Sequence, residues 1–208
     1  MHCNEIRHLD EVAAISAGYP FRGKIQELQG GGVAVVQMKD VSESGCIRWD
    51  GCLVTELPGK REPDWLQPGN ILIAARGSRH YAVRVGEDVP DNIRAVAAPH
   101  FYVISQLRQD VMPAYLEWLL NQPPCQRYLE QNAEGTLTKS IRRVVLDKTP
   151  VAIPSLQQQE AILQLASTLR QEQLLAEQLL RNGETLLSSI ACDLLQAAGH
   201  SPRKAVHE

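Results

Sequence analysis

From Leu156 to Ala198 the sequence contains no proline, and its apolar residues return with a helical period. A stretch of that kind reads as one long amphipathic helix. Its start is marked. Ile153-Pro154 closes a short extended run, Ser155 stands at the N-cap position, and Gln158 follows three residues later. In that capping box the two side chains satisfy backbone N–H groups that a helix start leaves free. Gly199 follows where helices commonly stop. Such a helix is roughly 60 Å long at about 1.5 Å per residue. One small domain has no need of that length, so the apolar stripe calls for cover from a partner helix. The plainer alternative is a helix folded back on its own domain.

The stripe can be read residue by residue. Ile162, Leu169, Ala176, Gly183 and Ile190 recur every seven residues. Leu165, Leu179 and Leu186 fill most of the companion register, which Glu172 and Asp193 interrupt. Ala166, Leu180, Leu187 and Leu194 widen the face. The width fits a packed antiparallel or paired helix better than a strict two-position zipper. Gly183 costs about 1 kcal/mol against alanine in a helix interior. It marks either a close approach of another backbone or a local weak point.

The remaining sequence must supply a folded domain. Hydrophobic residues make up 44% of the 208, enough for a core and too many for global disorder. No apolar run reaches the roughly 18 residues of a membrane span. The N-terminus lacks the charged-then-apolar pattern of a secretory signal. The five cysteines (Cys3, Cys46, Cys52, Cys125, Cys192) are irregularly spaced, without a C-x-x-C pair. They read as reduced cysteines of a cytoplasmic protein, with no metal site.

Net charge is −3, and residues 156–198 carry five acids against two bases. Residues 1–155 are therefore nearly neutral, and any contact with a polyanion must come from local patches. Two stand out. One is Arg76-Gly77-Ser78-Arg79-His80, with no acid before Arg84; the other is Lys139-Ser140-Ile141-Arg142-Arg143. Either is also consistent with a solvated loop face.

Element order points to an α+β domain. Strands are expected at Val33–Met38, Cys46–Thr55, Ile71–Ala75, Tyr81–Val85, Ile93–Ala97 and His100–Ser105. Gly30-Gly31-Gly32 reads as a flexible turn before the first of these, and Leu66–Asn70 and Asp88–Asn92 as further turns. The period then changes. Pro113 suits the first turn of a helix through Leu120, and Pro123-Pro124 stops it and starts another through Gln131. Ile141–Leu146 is a short helical turn or a strand. Strands first and helices after exclude a βαβ array.

Catalytic patterns are largely absent. There is no phosphate loop and no G-x-S-x-G elbow. Asn121-Gln122-Pro123-Pro124-Cys125 approaches the loop with which adenine methyltransferases hold a target base, but Gln122 and Cys125 break it. Pro63-Asp64 has no acid-x-Lys pair after it to complete a nuclease motif.

Successive blocks resemble one family. Gly18-Tyr19-Pro20-Phe21, then Val35–Val41, then Leu66–Ile73 followed by Arg76-Gly77-Ser78, are similar to a target recognition domain of type I restriction–modification specificity (S) subunits. Ala114–Leu120 resembles the family's helix after the sheet, and Gly135–Ile141 its glycine-led loop. Val151–Ile162, with Pro154, Leu156, Gln159 and Ile162, resembles its Pro-x-Leu-x-x-Gln-x-x-Ile entry into the spacer helix. Asn70 stands where the family often has Asp, which preserves a turn former.

The resemblance implies a mixed-sheet target recognition domain at 1–154, a spacer and dimerisation helix at 155–199, and a flexible tail at 200–208. It implies a non-catalytic reader of double-stranded DNA, with Arg76, Ser78, Arg79, His80, Lys139, Arg142 and Arg143 toward DNA. It further implies partner contacts through Ile162, Leu165, Leu169, Ala176, Leu179, Leu180, Leu186, Leu187, Ile190 and Leu194. The partners would be methyltransferase subunits carrying S-adenosylmethionine, a restriction subunit, and a second half. Family members usually hold two recognition domains and two long helices, whereas this chain has one of each. It therefore resembles a half-subunit, to be completed by a second copy or a different half. A protein-interaction adaptor with a coiled-coil arm is the competing reading of the same near-neutral domain.

Overall fold

A computed structural model describes residues 5–28, 30–42, 45–58, 62–90, 93–136 and 138–199. The tail 200–208, Cys3 and Leu137 of the glycine-led loop lie outside the described residues. Strands β1 (Glu5–His8) and β2 (Ala14–Ala17) come first, followed by β3 (Val33–Val36) and β4 (Leu53–Thr55). Next are β5 (Ile71–Ala74), β6 (Arg76–Gly77), β7 (Ala82–Arg84), β8 (Arg94–Ala97) and β9 (Phe101–Ser105). Helices α1 (Pro113–Leu120) and α2 (Pro123–Gln131) precede β10 (Lys139–Ser140), α3 (Arg143–Asp147), β11 (Pro150–Ile153) and α4 (Leu156–Gly199). The chain divides into two compact units, Met1–Leu163 and Gln164–Glu208.

Within the first unit an antiparallel sheet runs β2-β9-β5-β7. Its central strand β5, Ile71-Leu72-Ile73-Ala74, is buried at every position, and alternation divides its side chains between two cores. Ile71 and Ile73 pack with Leu116 and Leu120 of α1, Leu129 of α2 and Leu146 of α3. Leu72 and Ala74 face the opposite way, toward Ala34, Val36, Ala95 and Ala97. Those four belong to a second sheet, β4-β3-β8, in which β3 pairs antiparallel with β4 and parallel with β8. The result is helices, sheet and mixed sheet in layers, the α+β fold expected. Both helix-starting prolines stand in the first turn, where the missing N–H costs nothing.

Several expectations need correction. Cys46–Thr55 is not one strand: a 3-10 turn at Trp49–Gly51 interrupts it, and only Leu53–Thr55 is extended. Of the two readings of Ile141–Leu146 the helical one holds, though α3 begins only at Arg143. The strands-then-helices order is incomplete, because β10 and β11 follow the helices. β11 pairs antiparallel with the N-terminal β1, from Glu5↔Ile153 to His8↔Pro150. The glycine triplet is a close-packing site as well as a turn: a Cβ on Gly31 would lie 2.8 Å from the Thr55 carbonyl.

Helix α4 begins as its capping box requires. Ser155 N–H donates to Gln158 Oε1 at 3.2 Å, and Gln158 N–H donates to Ser155 Oγ at 3.4 Å. The next glutamine does something different. Gln159 is 0% exposed. Its Oε1 accepts from Met112 N–H at 2.8 Å, and its Nε2 donates to Asp110 O at 2.7 Å and Pro154 O at 2.8 Å. The first turn of α4 is thereby tied to the loop that leads into α1. No described helix is long and apolar enough to cross a membrane.

Candidate nucleic-acid interface

The two basic segments, more than sixty positions apart in sequence, are neighbours in space. β6 and β10 pair antiparallel, with Gly77 opposite Lys139 and Arg76 opposite Ser140. Ile141 N–H extends the ladder to Ala75 O at 2.9 Å. On its other side β10 is held by Glu134, whose N–H and C=O exchange hydrogen bonds with Ser140 at 2.9 and 2.8 Å. Gly77 sits at φ +131°, a backbone conformation that side chains disfavour. A Cβ there would also come within 3.3 Å of Met38 Cε.

Arg76, Ser78, Arg79, Lys139, Arg142 and Arg143 are all exposed. Among the described residues Arg76, Arg79 and Lys139 have no ion pair. Arg142 reaches Glu134 at 2.7 Å, with both side chains well exposed. Such a surface pair is worth at most about 1 kcal/mol, so a phosphate can compete for the guanidinium. Arg143 is set apart from the strip. It lies 3.7 Å from Asp147 and lines a groove of about 360 Å3 with Ser16, Gly18, Tyr19, Glu62 and Asp64. Lys39, exposed and next in the chain to Met38, is a cation that the sequence reading passed over. It stands in a 3-10 turn whose meeting with Gly77 no local pattern announces.

His80 leaves the set of surface residues. Its side chain is 0% exposed, and its Nδ1 is 2.9 Å from Ala74 O. A charged-looking run reads as one face only while the chain stays at the surface. Here the backbone returns into the sheet at His80, two residues before β7 begins at Ala82.

Along α4 the proposed contact residues are largely uncovered. Leu165, Leu169, Leu179, Leu180, Leu186, Leu187, Ile190 and Leu194 are between 47% and 71% exposed. Ala176 is exposed and Ile162 half-buried. A Cβ on Gly183 meets nothing within 4 Å. Leu174, Leu175 and Leu195 add exposed apolar surface that the seven-residue pattern omits.

The methyltransferase-like segment is occupied structurally. Asn121 Oδ1 accepts from Ala82 N–H at 3.0 Å, while its Nδ2 donates to Ala82 O at 2.8 Å and Glu117 O at 3.0 Å. The amide completes the edge of β7 and has no donor left for a base. The buried thiols of Cys52 and Cys125 are also unsuited to attack. Burial, reinforced by the carboxylates of Asp40 and Asp50, raises the Cys52 pKa to about 12, and burial raises that of Cys125 to about 11. Both remain protonated at neutral pH.

An α+β unit bearing a two-stranded basic ribbon, continued by a long helix with an apolar stripe, defines a recognisable class. Residues 2–181 match the family model described as the type I restriction modification DNA specificity domain, and the chain belongs to that family. Solved structures share the fold. One, from work on complex assembly and conformational transition of the type I R-M system, is 17% identical with a TM-score of 0.67, over 93% of this chain and 45% of that one. The HsdS subunit from Thermoanaerobacter tengcongensis is 16% identical, with a TM-score of 0.55 over 81% of this chain and 37% of its own. The S subunit from M. genitalium is 13% identical, with a TM-score of 0.52 over 80% and 39%. This chain thus spans less than half the length of each. No curated protein matches the sequence.

Proposed function

We propose that this chain is a sequence-specific DNA recognition module of a type I restriction–modification complex, without catalytic activity of its own. The observation that carries this reading is the β6–β10 pairing, which gathers Arg76, Arg79 and Lys139 onto one exposed ribbon. Cations there hold phosphates and set register, and the neighbouring polar side chains, Ser78 among them, are placed for base edges. Methyl transfer belongs to an S-adenosylmethionine-binding methyltransferase partner that extrudes the adenine. A restriction subunit joins where cleavage accompanies modification.

Assembly runs through α4. Its apolar stripe pairs with the equivalent helix of a second copy or of a different half, so that two recognition units read two parts of one split site. The exposure of the stripe leucines supports this.

Salt dependence tests the DNA reading. Three unpaired cations predict that log K falls with log salt with a slope of about −3, at roughly 0.9 per phosphate contact. The measurement is a band shift on duplex DNA across a salt series, with and without a methyltransferase subunit. Alanine at Arg76, Arg79 and Lys139 together should flatten the slope. A flat response in the unmodified chain removes the ribbon from the account and favours a protein-interaction adaptor.

A further inference from the structure

The arginines of the ribbon stand on a short loop, residues 75–80, and its return point is His80. Ala74 N–H donates to Tyr81 O at 3.0 Å, which closes the loop at its base on one side. On the other side Ala74 O receives its hydrogen bond from the His80 ring at 2.9 Å. A carbonyl only accepts, so Nδ1 carries a proton. Among the described residues the buried Nε2 has no partner. The His80 carbonyl is itself held. Gln126 of α2, 8% exposed, donates from Nε2 to His80 O at 2.8 Å and to Leu120 O at 2.8 Å.

We infer that His80 is a positioning residue for DNA recognition: its Nδ1–H bond to Ala74 O, with Gln126 holding its carbonyl, fixes the loop that presents Arg76, Ser78 and Arg79. The inference rests on the DNA reading above. The chemistry is specific. The useful group is one donor at the Nδ1 position, because the ring's other nitrogen has no partner among the described residues. An asparagine amide places an N–H near the Nδ1 position, whereas a glutamine amide places it near Nε2. Side-chain volume alone does not distinguish these two in the direction the clamp requires.

His80→Leu, His80→Asn and His80→Gln in the full chain test this, with Gln126→Met as a second way to loosen the same loop. Two readouts are needed: amide hydrogen exchange of residues 76–79, and enrichment of preferred sequences from a randomised duplex library. Losing one clamp hydrogen bond should speed loop exchange and reduce sequence discrimination by about tenfold each in His80→Leu, the scale of a single hydrogen bond. His80→Asn should restore both and His80→Gln neither. The salt slope should stay unchanged, since no cation is removed. Equal exchange in His80→Leu, His80→Gln and the unmodified protein overturns the clamp, as does rescue by Gln equal to that by Asn. If His80→Leu does not fold, unchanged exchange and discrimination in Gln126→Met overturns it. A loosened loop in a chain whose unmodified form enriches no sequence supports the clamp and contradicts the DNA reading instead.

Discussion

Replacing Leu179 and Leu186 together with glutamate should weaken pairing of α4 by at least about a hundredfold, because each buried leucine contributes roughly 1.5–3 kcal/mol and the new carboxylates must be desolvated. These residues are 71% and 62% exposed in the single chain, so they add little to the stability of the chain by itself. Sedimentation of the two proteins across micromolar concentrations is the measurement. The unmodified chain should sediment as an assembly and the variant as a monomer, with unfolding of the Met1–Leu163 unit unchanged. Identical sedimentation of the two contradicts assembly of this chain with itself through the stripe.

The second large effect is expected at Gln159. Leucine there keeps the bulk of the side chain but strands Met112 N–H and the carbonyls of Asp110 and Pro154. A buried backbone group left without a partner costs about 1–3 kcal/mol. Pro154 O is buried, whereas Met112 is half-buried and Asp110 exposed, so water can reach their groups and a loss of about 2 kcal/mol or more is expected. That is a large part of the roughly 5–15 kcal/mol that holds a domain folded. Denaturant unfolding of Gln159→Leu against the unmodified chain gives the number. A loss below about 1 kcal/mol, the net worth of one ordinary hydrogen bond, contradicts the anchoring role. Gln158→Leu is the internal comparison. Gln158 lies on the exposed side of the same turn and serves only the cap, so its loss should cost about 1 kcal/mol.

These two glutamines show where sequence reading succeeds and where it stops. Gln158 was legible because a cap is a local event: its partner Ser155 is three residues away. Gln159 has the same chemistry one position on, but two of its partners are at Asp110 and Met112, and nothing in the spacing of the lead-in reveals them. The same division runs through the fold. Pro113 and Pro123 marked helix starts, and Ile71–Ala74 announced a strand buried on both sides, because propensity and burial act within a few residues. β1 was invisible. Glu5-Ile6-Arg7-His8 has no apolar alternation to signal a strand, and its ladder is supplied by β11 from the far end of the unit.

The candidate site divides in the same manner. Both basic segments were visible as charge, and the exposure of Arg76, Arg79 and Lys139 fits a surface role. Their union in one ribbon was not visible, since a two-residue strand pairing across more than sixty positions leaves no periodic trace. His80 was misplaced because residue type was read without direction. A histidine between arginines looks like a cation, and only the backbone's return into β7 turns its ring inward. The start of the apolar run Tyr81-Ala82-Val83 was the one available hint.

Selection from a randomised duplex library by the full chain, with a methyltransferase subunit present, tests the DNA reading most directly. One reproducible sequence should be enriched, and the chain carrying Arg76→Ala, Arg79→Ala and Lys139→Ala should enrich it at least about tenfold less, given roughly 1.4 kcal/mol or more lost over several phosphate and base contacts. No enrichment by the unmodified chain, or equal enrichment by the triple variant, would contradict a DNA-reading role for the ribbon.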